Sequence, residues 1–321
     1  MYKAEKPQQA LLSLLKNDAP LNNNLNITLE DKEETEKYFL EEIKDRVILG
    51  DTFKVLKKID DEVFDMVFID PPYFLQLPKK TLKRWTVKTM VEGVNDAWDK
   101  FSSFQEYDDF IQRLLTEVKR VMKPTATIWV IATYHSIFRI GKIMQDLGYW
   151  TLNDLIWIKT NPMPNWLSVR FTNATENLIW ATKDQKSKKY FFNKKYAKLF
   201  GIGKVGANVW VLPICMGVER VKNEEGKKLH STQKPIELLK RVVLTSTKEE
   251  DLILDPVAGT GTTGYVAHAL NRHFVMVEIN PKYVKGIEER FKRKLRINEE
   301  PIPSKEKVNR YIGLEGFDEK I

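Results

Sequence analysis

The sequence contains a single cysteine, Cys215, among 321 residues. One cysteine cannot form an internal disulfide, and such low cysteine usage is typical of a reducing compartment. The sequence also lacks any run near the roughly 20 apolar residues that a membrane-spanning helix needs. Its first residues have neither a long apolar core nor a small-residue cleavage site, so we predict no signal peptide. These absences favour a cytoplasmic protein without a membrane anchor.

Internal repeats and long low-complexity tracts are absent too, and 42% of the residues are hydrophobic, which is ample for one large core. We expect residues 1–45 to form an N-terminal extension, partly flexible or helical, with a helix from about Leu29 to Lys44. One large domain is expected at 46–296, followed by a short C-terminal tail at 297–321.

The formal net charge is +8, and the basic residues cluster around 79–88, 183–198 and 282–296. A basic surface attracts the phosphate backbone of nucleic acid. A solvated, lysine-rich surface explains the same charge equally well. Charge alone therefore leaves both interpretations open.

Short apolar runs alternate with amphipathic stretches along the chain. Val47–Leu49, Met66–Ile69 and Thr127–Ala132 are typical of buried strands, and apolar residues recur at helical spacing over 104–122 and 137–147. The alternation continues with strands at 155–158, 178–181, 252–254 and 274–277, and with helices that begin near Pro235, Thr262 and Asn280. This order predicts an α/β fold with a doubly wound, mostly parallel sheet, whose ligand lies beyond the carboxyl ends of the strands.

The first loop of unusual composition is Asp70-Pro71-Pro72-Tyr73, directly after a predicted strand. Consecutive prolines fix the backbone and remove two N–H donors, which leaves carbonyls beside a carboxylate and a flat ring. This combination suits a site that accepts hydrogen bonds from an amino group and stacks on a base. A strand-ending turn with a surface tyrosine is the alternative.

The second such loop runs from Asp255 and Pro256 to Thr263, between a predicted strand and a helix. Gly259 and Gly261 allow a close approach of the backbone to a ligand, and the helix N-terminus favours an anionic group. Glu278 ends the next strand, where an acid accepts hydrogen bonds from ribose hydroxyls. This arrangement predicts a nucleoside cofactor without specifying which one.

Together the loops resemble those of beta-class DNA amino-methyltransferases, in which the Asp-Pro-Pro-Tyr loop precedes the glycine loop. A third element of that class, His230-Ser231-Thr232-Gln233-Lys234-Pro235, stands before the glycine loop here. Further segments are similar to the cell-cycle-regulated adenine methyltransferases that act on GANTC: Leu75-Gln76-Leu77, Trp98 to Phe101, Asn161 to Asn165, Arg170-Phe171, Asn173-Ala174, Glu176, and Pro213 to Arg220.

The resemblance implies methyl transfer from S-adenosyl-L-methionine to the N6 amine of adenine in duplex DNA, with no metal. Tyr73 would stack on a flipped adenine, and Asp70 and the Pro71 carbonyl would accept hydrogen bonds from its amine. Glu278 would hold the cofactor ribose, and Asp51 would lie by its adenine, unless Asp51 is simply a helix N-cap. The remaining cofactor residues implied are Asp70, Thr232, Lys234, Asp255, Pro256, Gly259, Thr260, Gly261, Thr262 and Thr263.

Target recognition is expected in residues 74–97 and 160–228. Lys83, Arg84 and Trp85 combine charge with an aromatic ring that could enter a groove, although an ordinary basic loop is equally compatible. His135 begins a helix or lines the DNA cleft. Candidate base-reading residues are Asn161, Asn165 and Arg170, because asparagine pairs with adenine and arginine with guanine.

Three other functions remain open from the sequence. N4 methylation of cytosine uses the same amine chemistry, although those enzymes more often carry serine in place of Asp70. A catalytically silent DNA-binding protein on the same fold is a second alternative. A nicotinamide dehydrogenase is disfavoured, because no full three-glycine fingerprint is present. The expected partners are double-stranded DNA, a second copy of the chain and a cognate restriction endonuclease, in a nucleoid-associated cytoplasmic location.

Overall fold

A computed structural model describes residues 27–33, 35–75, 97–165, 169–200 and 206–292. Within these ranges the chain forms one nine-stranded sheet. The strands are β1 Thr28–Glu30, β2 Arg46–Leu49, β3 Phe64–Ile69, β4 Met122–Ala132, β5 Trp150–Lys159, β6 Thr175–Thr182, β7 Val209–Leu212, β8 Leu252–Asp255 and β9 His273–Glu278. The helices are α1 Leu40–Ile43, α2 Thr52–Lys57, α3 Phe104–Val121, α4 Ile137–Asp146, α5 Lys194–Phe200, α6 Ile236–Ser246, α7 Thr262–Ala269 and α8 Pro281–Phe291, with short 3₁₀ turns at Ala97–Asp99 and Gly217–Glu219.

The strand order is β1-β2-β9-β8-β3-β4-β6-β5-β7. All neighbours pair in parallel except β6, which is antiparallel to both β4 and β5. The prediction of a doubly wound, mostly parallel α/β sheet is therefore confirmed. The carboxyl ends of eight strands consequently lie at one edge of the sheet, where ligands bind in such folds.

Both faces of the sheet are covered by apolar side chains, because successive residues of a strand point to opposite faces. In β3, Val67 and Ile69 join the core against α2, α3 and α4, whereas Met66 and Phe68 join the core against α6, α7 and α8. The central strands are thus buried on both sides, and this explains why they read as continuous apolar runs.

The predicted helix from Leu29 to Lys44 is wrong. Thr28–Glu30 forms β1, which pairs in parallel with β2, and only Leu40–Ile43 is helical. Pairing with the edge of the sheet outweighs a weak local helix preference. Asp31 of this acidic stretch forms an ion pair instead of joining a helical face: Lys58, with only 5% of its side chain exposed, pairs with it at 2.8 Å. The sheet therefore begins before residue 46.

Candidate active site

Four neighbouring strands, β2, β9, β8 and β3, end around one cavity of about 660 Å³. The loop that begins at Asp70, after β3, and the loop that begins at Asp255, after β8, both line it. These strands are hydrogen-bonded neighbours, with Val67 opposite Leu254, so their loops leave the sheet side by side. The structure thus brings the two predicted loops together in one site.

The Asp70 carboxylate lies between a lysine and a tyrosine hydroxyl. Lys234 Nζ donates to Oδ2 at 2.7 Å, and the Tyr73 hydroxyl donates to Oδ1 at 2.7 Å. Burial raises the pKa of Asp70, against the opposing effects of Lys234 and Tyr73. Burial lowers the pKa of Lys234, but the carboxylates of Asp70 and Glu176 outweigh it and raise that pKa above its ordinary value. Lys234 therefore keeps its proton and favours an ionised carboxylate beside it.

The backbone after Asp70 is held by Asp99, to which no sequence pattern assigned a role. Asp99 Oδ1 accepts from the N–H groups of Tyr73 and Phe74, each at 2.6 Å, and Oδ2 accepts from that of Leu75 at 2.9 Å. Phe74 has a φ of +52°, a left-handed conformation that is unfavourable for a bulky residue. One buried carboxylate thus stabilises a strained turn directly after the loop that begins at Asp70.

The Tyr73 ring lines the cavity although only 4% of it is exposed. Its hydroxyl also lies 3.3 Å from Oε2 of Glu176. Burial, followed by the charges of Asp70 and Glu176, raises the pKa of Tyr73, so the hydroxyl stays protonated. The Tyr107 hydroxyl donates to the Pro72 carbonyl at 2.9 Å and fixes the second proline. Tyr73 is therefore a hydrogen-bonded wall of the cavity, and its stacking on a base stays a prediction.

Glu278 closes the glycine loop from the end of β9. Its Oε2 accepts from the Gly259 N–H at 2.7 Å, and its Oε1 accepts from the Asn280 N–H at 2.8 Å. Burial raises the pKa of Glu278 to about 7, against the hydrogen bonds that lower it. Burial likewise raises the pKa of Asp255 to about 7. Two carboxyl groups of the cavity therefore carry a desolvation penalty that a ligand can offset.

The two glycines of this loop differ in role. Gly259 lines the cavity with a φ of +54°, and a Cβ there would lie 3.5 Å from the His230 ring. Gly261 has a φ of +68° but does not line the cavity, and a Cβ there would lie 2.9 Å from the Ile287 side chain. A side chain at Gly261 would thus crowd α8 against the start of α7, and the predicted contact of Gly261 with the cofactor stays a prediction.

The segment 230–235 crosses the mouth of the cavity. The His230 ring stacks on Trp98, with centroids 5.2 Å apart, and its Nδ1 accepts from the Thr232 N–H at 3.2 Å. Gln233 also lines the cavity, and its Oε1 accepts from the Val221 N–H at 2.9 Å. Lys234, the next residue, reaches Asp70. The segment thereby connects a wall of the cavity with the Asp70 carboxylate.

Asp51 is a helix N-cap, since its Oδ1 accepts from the N–H of Phe53 at 2.8 Å. Asp51 also lines the cavity, so its role as an N-cap is compatible with its predicted position beside the cofactor. Two further cavity residues were not predicted. Thr52 Oγ1 and Trp98 Nε1 are buried and have no hydrogen-bond partner among the residues that the structure describes. Such groups are the ones that a ligand can satisfy.

The structure describes only some of the predicted DNA-contacting residues, and several of those make hydrogen bonds within the protein. Lys83, Arg84 and Trp85 lie outside the described residues. The Asn165 side chain donates to the Arg170 carbonyl at 2.6 Å and closes a loop, while Arg170 bonds to the Tyr134 hydroxyl. Asn161 accepts from the Ile214 N–H at 2.8 Å, which supports a structural role for its side chain. His135, stacked on Tyr134, has a pKa lowered by burial and by Arg170.

A second ion pair next to Asp70 was also missed. Lys159 ends β5, and its Nζ lies 2.9 Å from Oε1 of Glu176 in β6. Glu176 Oε2 lies 3.9 Å from Lys234 Nζ. The sequence separations between these side chains are long, so local patterns carry no sign of their contact.

None of the helices in the described ranges is long and apolar enough to cross a membrane. A DNA methylase family that comprises N6 and N4 enzymes matches residues 64–289. The Type II methyltransferase M.HinfI of Haemophilus influenzae is 48% identical over 246 residues, which cover 77% of this chain and 68% of that protein. The Type II methyltransferase M2.LlaDCHI of Lactococcus lactis subsp. cremoris is 39% identical over 78% of this chain and 91% of that protein.

Solved structures show the same fold at low sequence identity. The PvuII DNA methyltransferase, described as cytosine-N4-specific, matches with a TM-score of 0.59 and 18% identity over 84% of this chain and 91% of that one. The M1.HpyAVI–SAM complex matches with a TM-score of 0.54 and 22% identity over 76% of this chain and 97% of that one.

Proposed function

The chain belongs to the DNA methylase family of N6 and N4 enzymes and is a DNA methyltransferase, and we propose that it methylates the N6 amine of adenine in duplex DNA. The observation that carries the proposal is the cavity shared by the Asp70 loop and the Gly259 loop. A methyl acceptor held by the first loop and a methyl donor held by the second would meet there. Loops on opposite sides of the sheet could not support this reaction.

The residues present fit S-adenosyl-L-methionine as the donor. Glu278 offers a buried carboxylate to ribose hydroxyls, and the missing side chain of Gly259 leaves the wall open to a ligand. Thr52 Oγ1 and Trp98 Nε1 have no partner within the described ranges and face the same cavity. The proposed cofactor-binding residues are Asp51, Asp70, Thr232, Lys234, Asp255, Pro256, Gly259, Thr260, Gly261, Thr262, Thr263 and Glu278. When bound, this cofactor supplies a methyl group activated by a sulfonium.

The amine of adenine is a poor nucleophile, because its lone pair is delocalised into the ring. Asp70 and the Pro71 carbonyl accept hydrogen bonds from the amine, which localises the lone pair and orients it. As the N–CH3 bond forms and the S–CH3 bond of the sulfonium breaks, the Asp70 carboxylate stabilises the positive charge that develops on the nitrogen, which then releases one proton to solvent. The target must leave the duplex to reach this loop, and Tyr73 provides a ring on which the flipped base stacks.

Asp70 favours adenine over cytosine as the target, since N4 enzymes more often have serine there. The fold itself does not decide, because the cytosine-N4-specific PvuII enzyme shares it. Resemblance to the GANTC-specific methyltransferases, together with 48% identity to M.HinfI, supports GANTC as the site that is read. His135, Arg170 and the segments 74–97 and 160–228 are the proposed DNA-contacting parts, along with Lys83, Arg84, Trp85, Asn161 and Asn165.

The class of the enzyme's relatives supports proposals about its partner, its location and its oligomeric state. A Type II relationship supports a cognate restriction endonuclease as a functional partner. We also propose a nucleoid-associated cytoplasmic location and a homodimeric form. Sedimentation with and without a duplex measures the oligomeric state directly.

Duplex oligonucleotides test the base and the site together. A duplex with one GANTC sequence should accept methyl groups, and a matched duplex in which the GANTC adenine of each strand is replaced by 2-aminopurine should not. Replacing the flanking G·C pair should reduce transfer by about 5- to 150-fold, since each mismatched base pair costs about 1–3 kcal/mol in recognition. Equal transfer to a duplex without GANTC would remove the proposed specificity but leave adenine methylation intact.

A further inference from the structure

Four charged side chains, three of them at least about nine-tenths buried, form a chain that ends at the half-buried Asp70 carboxylate. Lys159 pairs with Glu176 at 2.9 Å, Glu176 lies 3.9 Å from Lys234, and Lys234 pairs with Asp70 at 2.7 Å. The exposed fractions of Lys159, Glu176 and Lys234 are only 10%, 11% and 5%. With two carboxylates and two ammonium groups, the cluster is electrically balanced. Such burial is costly unless each charge is paired, so the arrangement requires an explanation.

Pairing with Lys159 accounts for the position of only one of the two carboxylate oxygens of Glu176. Its Oε1 faces Lys159, but its Oε2 faces the catalytic side, toward Lys234 and the Tyr73 hydroxyl at 3.3 Å. Glu176 lies in β6, opposite Trp157 of β5, and is thus fixed by two strands of the sheet. It is therefore a rigid support from which the positions of Lys234 and Tyr73 can be set.

In this structure both oxygens of Asp70 are already used. Oδ2 accepts from Lys234 and Oδ1 accepts from the Tyr73 hydroxyl. Each carboxylate oxygen has a second acceptor site, so a target amine competes with these donors for the same two atoms. The Tyr73 hydroxyl can give way, because its single proton can be donated either to Asp70 or to Glu176. A shift to Glu176 would free Oδ1 without leaving the hydroxyl unsatisfied.

We propose that Glu176 is a positioning residue for methyl transfer, which holds Lys234 against Asp70 and accepts the Tyr73 hydroxyl when the target amine binds. The inference rests on the proposed function and deepens it. Glu176 itself touches neither the amine nor the cofactor. Its loss should slow turnover while leaving cofactor affinity unchanged, because Glu176 does not line the cavity and Glu278 and the glycine loop stay intact.

The first test is Glu176→Gln, with Glu237→Gln as a matched control. Glu237 is equally buried, with 11% of its side chain exposed, and it also pairs with two cations, Lys240 at 3.3 Å and Arg241 at 3.1 Å. Glu176→Gln should lower kcat by roughly 10- to 100-fold, the range found when a partner that orients a reacting group is removed. The Kd for S-adenosyl-L-methionine should stay the same. Glu237→Gln should keep the kcat of the unchanged protein.

A double variant separates positioning from charge balance and guards against loss of folding in the single variant. Lys159→Met with Glu176→Gln removes the ion pair without leaving a buried ammonium group. If Glu176 serves only to neutralise Lys159, the double variant regains full turnover, and the proposal is overturned. If Glu176 acts on Lys234 and Tyr73, the double variant binds the cofactor normally and stays slow. Absence of methyl transfer by the unchanged protein would instead refute the proposed function.

Discussion

Asp99 offers a sharp test of how the catalytic loop is held. Each hydrogen bond from a backbone N–H to a carboxylate contributes about 1.5–3 kcal/mol, so its three bonds represent roughly 5–9 kcal/mol at most. That sum is comparable to the whole stability of a domain, so in Asp99→Ala the turn at Phe74 should release before the sheet unfolds. We therefore expect a loss of about 2–4 kcal/mol in unfolding free energy, or a fall in Tm of about 5–10 °C.

The loss of activity should be larger than the loss of stability implies. A displacement of about 1 Å at a reacting group can cost about 10²-fold in rate, and Asp70 lies three residues before the released Tyr73 N–H. Single-turnover methyl transfer should thus fall by about 10²-fold at a temperature where the variant is fully folded. The Kd for S-adenosyl-L-methionine should change by less than about threefold, that is by less than about 0.7 kcal/mol.

Asp184→Ala is the matched control. Asp184 Oδ1 also accepts from two backbone N–H groups, those of Lys186 at 2.7 Å and Ser187 at 3.0 Å, but it lies beyond the end of β6, away from the cavity. It should lose stability and keep its rate. If Asp99→Ala is folded and transfers methyl groups within threefold of the unchanged protein, the carboxylate does not hold the loop.

Three further changes test other parts of the site. Asp70→Ala should lower kcat by at least about 10³-fold while calorimetry finds cofactor binding largely intact; near-normal turnover would refute the role given to this carboxylate. Gly261→Ala should lower the Tm more than Gly259→Ala, because its Cβ meets Ile287 at 2.9 Å, whereas Gly259→Ala should weaken cofactor binding more; the reverse order would contradict these roles. Glu278 has a pKa raised from 4.5 to about 7, so the folded cofactor-free protein binds an extra proton between these values and loses stability as pH rises through this window. Between pH 4 and pH 8, the unfolding free energy of Glu278→Gln relative to the unchanged protein should shift in favour of the variant by about 3 kcal/mol; a pH-independent difference would argue against the raised pKa.

The sheet and the two principal loops could be predicted because their signals are local. Apolar runs such as Met66–Ile69 and the loops that begin at Asp70 and Asp255 each occupy a few consecutive residues. Strand alternation then places both loops at one edge, as the pairing of β3 with β8 confirms. The helix predicted from Leu29 was wrong, because the strand that Leu29 forms is specified by its pairing with β2 rather than by its own local sequence.

The side chains that support the site, Asp99 and Glu176, could not be predicted, because their contacts are with residues distant in the sequence. Asp99 lies about 25 residues from the N–H groups it accepts, and Glu176 is 103 residues from Tyr73. No periodicity connects residues at such separations; they meet only because β3, β4, β6 and β5 lie in that order in the sheet. Gly261 is a different case. Its place in a glycine loop predicts contact with a ligand, and the structure adds that a side chain there would crowd Ile287 of α8.

The central claim is that one cavity holds both the methyl donor and a flipped adenine. Incubating the protein with methyl-labelled S-adenosyl-L-methionine and duplex DNA, followed by mass spectrometry of the nucleosides, measures this directly. We expect labelled N6-methyladenine as the product, and none from Asp70→Ala. Labelled N4-methylcytosine, or no labelled nucleoside from a protein that binds both cofactor and DNA, would contradict it.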